Sequence, residues 1–222
     1  MARTRILWMV FAASALAASG FALNGPQGAV FEIEFKNAQL APAHWTLKLN
    51  PDGSGQFDAE GGKPSSTDPN LIWAGDVHRP VQLSPAFTES VFATARMRKW
   101  FDYPCESRMK VAFQGIKRLS YSGPEGSGAC EYNYSKDKEI QALGNSLMGV
   151  EFTLMCGARM EKLLQHDRLG LDKELDILSD ALKDGGAAEA GVIRETLNRI
   201  ASDEAVMERA RRKARLLLTQ SR

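Results

Sequence analysis

The sequence predicts an α+β fold: an N-terminal antiparallel β-sheet with one inserted helix, then a C-terminal all-helical segment. Three observations carry this. Apolar residues alternate with period two in the first half. One helix start, Ser84-Pro85, interrupts the strand-like segments without any β-α alternation. From Ser135 onward the apolar residues recur at three-four spacing.

Residues 1–22, MARTRILWMVFAASALAASGFA, read as a secretory signal peptide. Arg3 and Arg5 form a positive n-region, Ile6 to Ala18 an apolar core, and Gly20-Phe21-Ala22 a cleavage site with small residues at −3 and −1. The apolar run is shorter than the roughly 20 residues that span a bilayer. No cysteine near the site offers a lipid anchor. A mature chain starting near Leu23 is therefore expected to be exported, periplasmic or secreted, with no stable membrane insertion. Removing Arg3 and Arg5 leaves 26 basic against 27 acidic residues, net −1, which argues against a nucleic-acid partner. About 200 residues suffice for one substantial core or two small ones. The expected organisation is a signal peptide (1–22), a sheet domain with one helix near 84–100 (23–134), and a helical region (135–222).

Val30–Phe35 and His44–Leu49 alternate cleanly, with Phe31, Ile33 and Phe35 on one face and Trp45, Leu47 and Leu49 together. Asn50-Pro51-Asp52-Gly53-Ser54-Gly55 is a turn. Proline fixes φ early, and Gly53 or Gly55 can take positive φ. One aspartate there is too few for a calcium loop. Gln56–Asp58 returns as a strand. Gly61–Pro69 is a Gly/Ser/Pro loop, and Asp76–Leu83 a strand that Pro80 confines to an edge or bulge. Ser84 caps a helix with proline at its first position, and that helix is expected to run to about Trp100. Three strands are expected within 109–134: Met109–Phe113, Ile116–Ser122 and Glu131–Tyr134. Ser135 is expected to cap a helix reaching Gln165, whose Gly144, Gly149 and Gly157 mark close packing or a break. Asp172 caps a shorter helix ending at Gly185-Gly186, Ala187–Ile200 forms another, and Ser202 caps the last, Asp203–Leu218. The acids of that last helix come early and its bases late, matching the helix dipole. Its Val206, Ala210, Ala214 and Leu217 suit packing on a neighbouring helix.

Cys105 precedes the first of the three expected strands and Cys130 begins the run to the third, so the pair brackets the first two. In an exported chain they are expected to form a disulfide. Closing a loop of about 25 residues would contribute roughly 3–4 kcal/mol. Zinc would need closer cysteine or histidine pairs, and His44, His78 and His166 are scattered. Cys156 lies in an apolar helical pattern and is expected to be free and buried. His166-Asp167 is the best acid/base pair, but its place at a helix end suits dipole compensation. There is no G-x-S-x-G, H-E-x-x-H or Walker A pattern. Gly123–Gly128 sits between two strands, so it reads as a hairpin loop rather than a phosphate cradle. No catalytic residue, metal or cofactor is assigned.

The stretches LAPAHWTLKLNPDGSGQF, VQLSPAFTESVFATAR, KVAFQGIKRLSYSG, CEYNYS, HDRLGLDKELDIL and IASDEAVMERARRKARLLL resemble a group of uncharacterised secreted bacterial proteins. The resemblance covers nearly the whole mature chain and its motifs are structural. It implies no activity and carries over no functional residues.

The leading expectation for function is a non-enzymatic exported module that binds a protein partner in the cell envelope. The alternatives are a small-molecule or glycan binder using Trp45, Trp73 and Tyr132 as exposed aromatics, and a hydrolase with scattered catalytic residues around His166 and Asp167. An apolar surface patch would favour the first, and a pocket with convergent polar groups the others.

Overall fold

The computed structural model describes residues 28–62 and 72–220. The expected signal peptide and most of the 61–69 loop lie outside the described residues. Six strands form one antiparallel sheet: β1 (Val30–Lys36), β2 (His44–Leu49), β3 (Ser54–Glu60), β4 (Val77–Gln82), β5 (Ile116–Gly123) and β6 (Gly126–Tyr132). Their order across the sheet is β4-β3-β2-β1-β5-β6. Helix α1 (Pro85–Met97) is inserted between β4 and β5. Helices α2 (Lys138–His166), α3 (Leu171–Lys183), α4 (Arg194–Ser202) and α5 (Glu208–Gln220) follow the sheet.

The alternation read from the sequence sets the two faces of the sheet. Phe31, Ile33, Phe35, Trp45, Leu47, Leu49, Phe57, Ala59 and Leu119 are buried on one side. The register places Phe35 opposite Trp45 and Leu47 opposite Phe57, so these side chains build one continuous layer. Val91, Phe92 and Ala95 of α1 and Leu147, Val150 and Leu154 of α2 belong to the same core cluster. The other face carries Glu34, His44, Asp58 and His78. His44 bridges Glu34 and Glu60, and His78 Nδ1 lies 2.9 Å from Asp58.

Local chemistry fixes the connections. Gly53 takes φ 83 in the turn, and Asp52 Oδ1 accepts from the Ser54 N–H at 2.9 Å. Pro80 lies on β4, an edge strand, as its missing N–H requires. Ser84 Oγ accepts from Phe87 N at the start of α1. Helix α2 runs unbroken for 29 residues. A Cβ on Gly144 would stand 2.1 Å from the Tyr132 hydroxyl, and one on Gly157 2.4 Å from Ile193, so these glycines mark close packing rather than a break.

Several expected boundaries shift. Met109–Phe113 is not a strand. β6 begins at Gly126 rather than Glu131, so Cys130 lies inside it. Asp137, not Ser135, caps α2, because its carboxylate reaches the N–H groups of Glu139 and Ile140. Leu171 opens α3 and Asp172 sits in its first turn. The first half of the expected helix Ala187–Ile200, residues 187–193, is irregular or 3₁₀, and α4 starts at Arg194. Ser202 is the last residue of α4, and Asp203 Oδ1 turns the chain by accepting from Ala205 N. α5 therefore begins at Glu208. No helix among the described residues is long and apolar enough to cross a membrane.

Candidate functional site

The expected disulfide is present. Cys105 and Cys130 are bonded, with Cα atoms 5.6 Å apart, inside the range a bridge requires. It joins the chain after α1 to β6 and anchors one end of an unusual segment. Residues 104–115 run without helix, turn or bend into β5. They enter it beyond the last paired residues of both neighbours, Lys36 on β1 and Tyr132 on β6.

Two polar residues hold this segment at its ends. Glu106 Oε2 accepts from Asn133 N at 2.7 Å, and its Oε1 accepts from Arg108 N at 3.3 Å. These backbone donors hold the Glu106 carboxyl below its usual range. Ser107 N donates to Tyr134 O. At the far end, the Asn133 amide works as a two-pronged clamp: Nδ2 donates to Ala112 O at 3.0 Å, and Oδ1 accepts from Gln114 N at 2.8 Å. Asn37 Nδ2 donates to Gln114 O. Gly115 then turns the chain into β5 at φ 119, where a Cβ would lie 2.4 Å from the Phe35 ring.

Between the clamps the segment lies exposed on the surface. Met109, Val111 and Phe113 are 51%, 41% and 58% exposed, and Arg108, Lys110 and Ala112 are exposed as well. Among the described residues the backbone groups of Lys110, Val111 and Phe113 make no hydrogen bond. The amide clamp fits an extended backbone at Phe113, where the carbonyl of one residue and the N–H two residues on point to the same side. The result is an exposed segment outside the sheet that carries three apolar side chains and, at Lys110, Val111 and Phe113, backbone groups without partners among the described residues.

The other sequence candidates fall elsewhere. Trp45 and Tyr132 are buried in the core, so they form no exposed aromatic surface; their large rings fill the layer between sheet and helices. Tyr132 donates its hydroxyl to Ile140 O at 3.0 Å. Trp73 is half-buried, and its carbonyl accepts from Lys162 Nζ. His166 ends α2 in solvent. Asp167 Oδ1 accepts from Leu169 N and Gly170 N, the work of a cap. Cys156 is free and buried, with Arg159 Nη2 3.0 Å from its sulfur, and burial pushes its thiol up to about 12.

A groove of about 800 Å³ lies among Leu83, Pro85, Leu182, Glu189 and Arg194, but its carboxylate already binds the start of α1. Among the described residues no cluster of three or more His, Cys, Asp or Glu side chains is placed to hold a metal ion. Glu106 and Asn133 are the residues that sequence reasoning missed. The apolar run Met109–Phe113 reads as a strand, but the structure leaves it outside the sheet. No protein-family model matches the chain, and no curated protein matches it.

Proposed function

We propose that this is an exported, non-enzymatic protein that binds a protein partner by strand addition along residues 109–113. The signal-peptide pattern and the Cys105–Cys130 disulfide support export, because disulfides persist in oxidising compartments. The single observation that carries the binding reading is the exposed segment whose apolar side chains and whose backbone groups at Lys110, Val111 and Phe113 have no partner among the described residues. Strand addition uses those two features: main-chain hydrogen bonds supply affinity and alternate side chains supply specificity. The segment is held straight before binding, so little ordering entropy is lost on docking.

The test is a photo-crosslinking amino acid placed at Val111 in the full chain, expressed with its own leader and recovered from the exported fraction. A control probe goes at Lys183, exposed on α3. A protein adduct at 111, absent at 183 and removed by Phe113→Asp, is expected. Equal labelling at both sites, or none at 111, would overturn the reading.

A further inference from the structure

We infer that the partner is a serine protease with an apolar specificity pocket, that Phe113 fills that pocket, and that the protein is its slowly cleaved inhibitor. This rests on the strand-addition reading above and adds the identity of the partner.

The hydrogen bonds already made around Phe113 select the peptide bond that is presented. Asn133 Nδ2 donates to Ala112 O, and Asn133 Oδ1 accepts from Gln114 N. Asn37 Nδ2 donates to Gln114 O at 3.2 Å. In a trans peptide the C=O and N–H point opposite ways. The Ala112 carbonyl and the Gln114 N–H face Asn133, so the N–H and C=O of Phe113 face away from it. Both lack a partner among the described residues, as do those of Val111. The Phe113 side chain is exposed beside them.

A serine protease engages its substrate through these same groups. It pairs with an extended chain, takes one side chain into its specificity pocket, and draws that residue's carbonyl into the oxyanion hole. Alternate residues face the protease in such a pairing, so the carbonyls on either side of the pocket residue are left unused. Those two carbonyls, of Ala112 and Gln114, are the ones the asparagines hold. The basic residues of the segment are not framed in this way. The carbonyls flanking Arg108 and Lys110, those of Ser107, Met109 and Val111, have no partner among the described residues. Arg108 also takes φ 55, and its N–H is bonded to Glu106. The matching pocket is therefore an apolar slot rather than an acidic one.

The same grip slows turnover. Attack of the protease serine on the Phe113 carbonyl carbon breaks the Phe113–Gln114 bond. The serine proton passes to the Gln114 nitrogen, which becomes a free amine, and Phe113 is left as an ester of the serine. In an ordinary substrate the amine diffuses away, and water then releases Phe113 as a carboxylate. Here Gln114 stays in place: Asn37 still holds its carbonyl, Gly115 packs on the Phe35 ring, and β5 follows at Ile116. Asn37 is itself buried, and its Oδ1 accepts from Gln39 N, which fixes its amide in the donating orientation. On the other side Ala112 remains on Asn133, and Cys105–Cys130 ties the start of the segment to β6. The held amine can attack the ester, remake the peptide bond and free the serine. A positioned nucleophile competes with water at high effective concentration.

The exported, disulfide-intact full chain is titrated against chymotrypsin and subtilisin. Hydrolysis of a small chromogenic peptide reads inhibition, and mass spectrometry of the chain reads cleavage. At least one protease should lose its activity at about micromolar chain or below, with one slow cut at Phe113–Gln114. Phe113→Asp should weaken inhibition at least about a hundredfold. Phe113→Lys should transfer inhibition to trypsin, a gain that a merely structural residue would not give. Asn133→Ala and Asn37→Ala should each be cut about tenfold faster at 113–114 while inhibiting less.

Activity of both proteases undiminished, or rapid cutting at 113–114 without inhibition, would overturn this inference. So would inhibition that survives Phe113→Asp, a Phe113→Lys chain that leaves trypsin untouched, or unchanged cutting in both asparagine variants. No inhibition together with a Val111 adduct to an exported protein that is not a protease would overturn it while leaving strand addition standing. No inhibition and no adduct at Val111 would overturn both readings.

Discussion

The carboxylate of Glu189 accepts both the backbone N–H and the hydroxyl of Ser84, at 2.6 and 2.8 Å, across 105 residues of sequence. Ser84 is the cap of α1, so a side chain from the helical half closes the helix start of the sheet half. Glu189 holds this position with φ 56, a left-handed conformation that costs a non-glycine residue roughly 1–2 kcal/mol. Glu189→Ala keeps the strain and loses both charged hydrogen bonds, so it should destabilise the protein by about 2 kcal/mol. Glu189→Gly also relieves the backbone and should lose about 1 kcal/mol less. Urea unfolding of both variants checks this; equal midpoints for the two would show that the backbone strain is not real.

Reduction of Cys105–Cys130 should lower stability by roughly 2–4 kcal/mol. Thiol titration of unreduced protein should find no reactive thiol in the native state and one after denaturation. Cys156 supplies that one: it is fully buried, and the same burial disfavours its thiolate. A thiol that reacts in the native protein at neutral pH would contradict the packing around Leu154, Met155 and Ala158.

The strands of the sheet were legible because one face is buried and the other solvated, so the sequence alternates. Met109–Phe113 alternates in the same way yet joins no sheet. Alternation reports which side chains share a face; it does not report whether a neighbouring strand extends far enough to pair. Here β1 stops at Lys36 and β6 at Tyr132. Helix ends shifted for a related reason. Ser135, Ser202 and Asp203 are all competent caps, and tertiary packing selected Asp137 in one case and ended α4 at Ser202 in the other. Glu106 and Asn133 carry no sequence signal, because a single polar side chain becomes a clamp only when the fold brings distant backbone to it.

Glu151 is half-buried on α2, and burial pushes its carboxyl up to about 7 against the opposing pull of Arg159. Arg159 is already engaged by Glu174 of α3 at 2.7 Å. A raised carboxyl pKa means that the fold prefers the neutral acid. Stability is therefore lost as pH rises from about 4.5 to about 7 and is flat above that. Glu151→Gln should remove that slope. Because the side chain retains some solvent contact, the gain at pH 8 is expected to be about 1–2 kcal/mol rather than the full linkage value, and near zero at pH 4. Parallel stability curves for variant and wild type between pH 4 and 8 would refute it.

Lys117 is buried, and its Nζ lies 5.8 Å from the centre of the Phe35 ring and 5.6 Å from that of Tyr132. No carboxylate among the described residues makes an ion pair with it. Burial lowers its pKa. A base whose pKa falls on folding makes the fold less stable at low pH and more stable as pH rises toward 10.5. Lys117→Met keeps the stem and removes the charge, so it should stabilise the protein by about 1 kcal/mol at pH 7 after the lost cation–π attraction is offset. The advantage should shrink by pH 11. A destabilised variant at pH 7 would mean that the two rings hold the cation more strongly than burial penalises it.

Asn133 is the residue on which the straight segment depends. Asn133→Ala removes both prongs of the clamp, whereas Asn133→Asp keeps an acceptor for Gln114 N and sets a carboxylate oxygen against Ala112 O. The two variants therefore separate the two halves of the grip. With Ala, the Gln114 amide should exchange at least about tenfold faster, since an opened hydrogen bond near the surface is worth about 1–1.5 kcal/mol. With Asp, Gln114 should stay protected while the chain loosens on the Ala112 side. Global stability should change by less than about 1 kcal/mol in either variant, because the segment lies outside the core. Binding at residues 109–113 should weaken in both, since a strand that must be straightened on docking loses the benefit of preorganisation. Hydrogen exchange by mass spectrometry, read peptide by peptide across 104–115, measures the first effect, and the Val111 crosslink yield measures the second. Unchanged exchange at Gln114 in Asn133→Ala would show that the Asn37 contact and Gly115 hold the segment without the clamp.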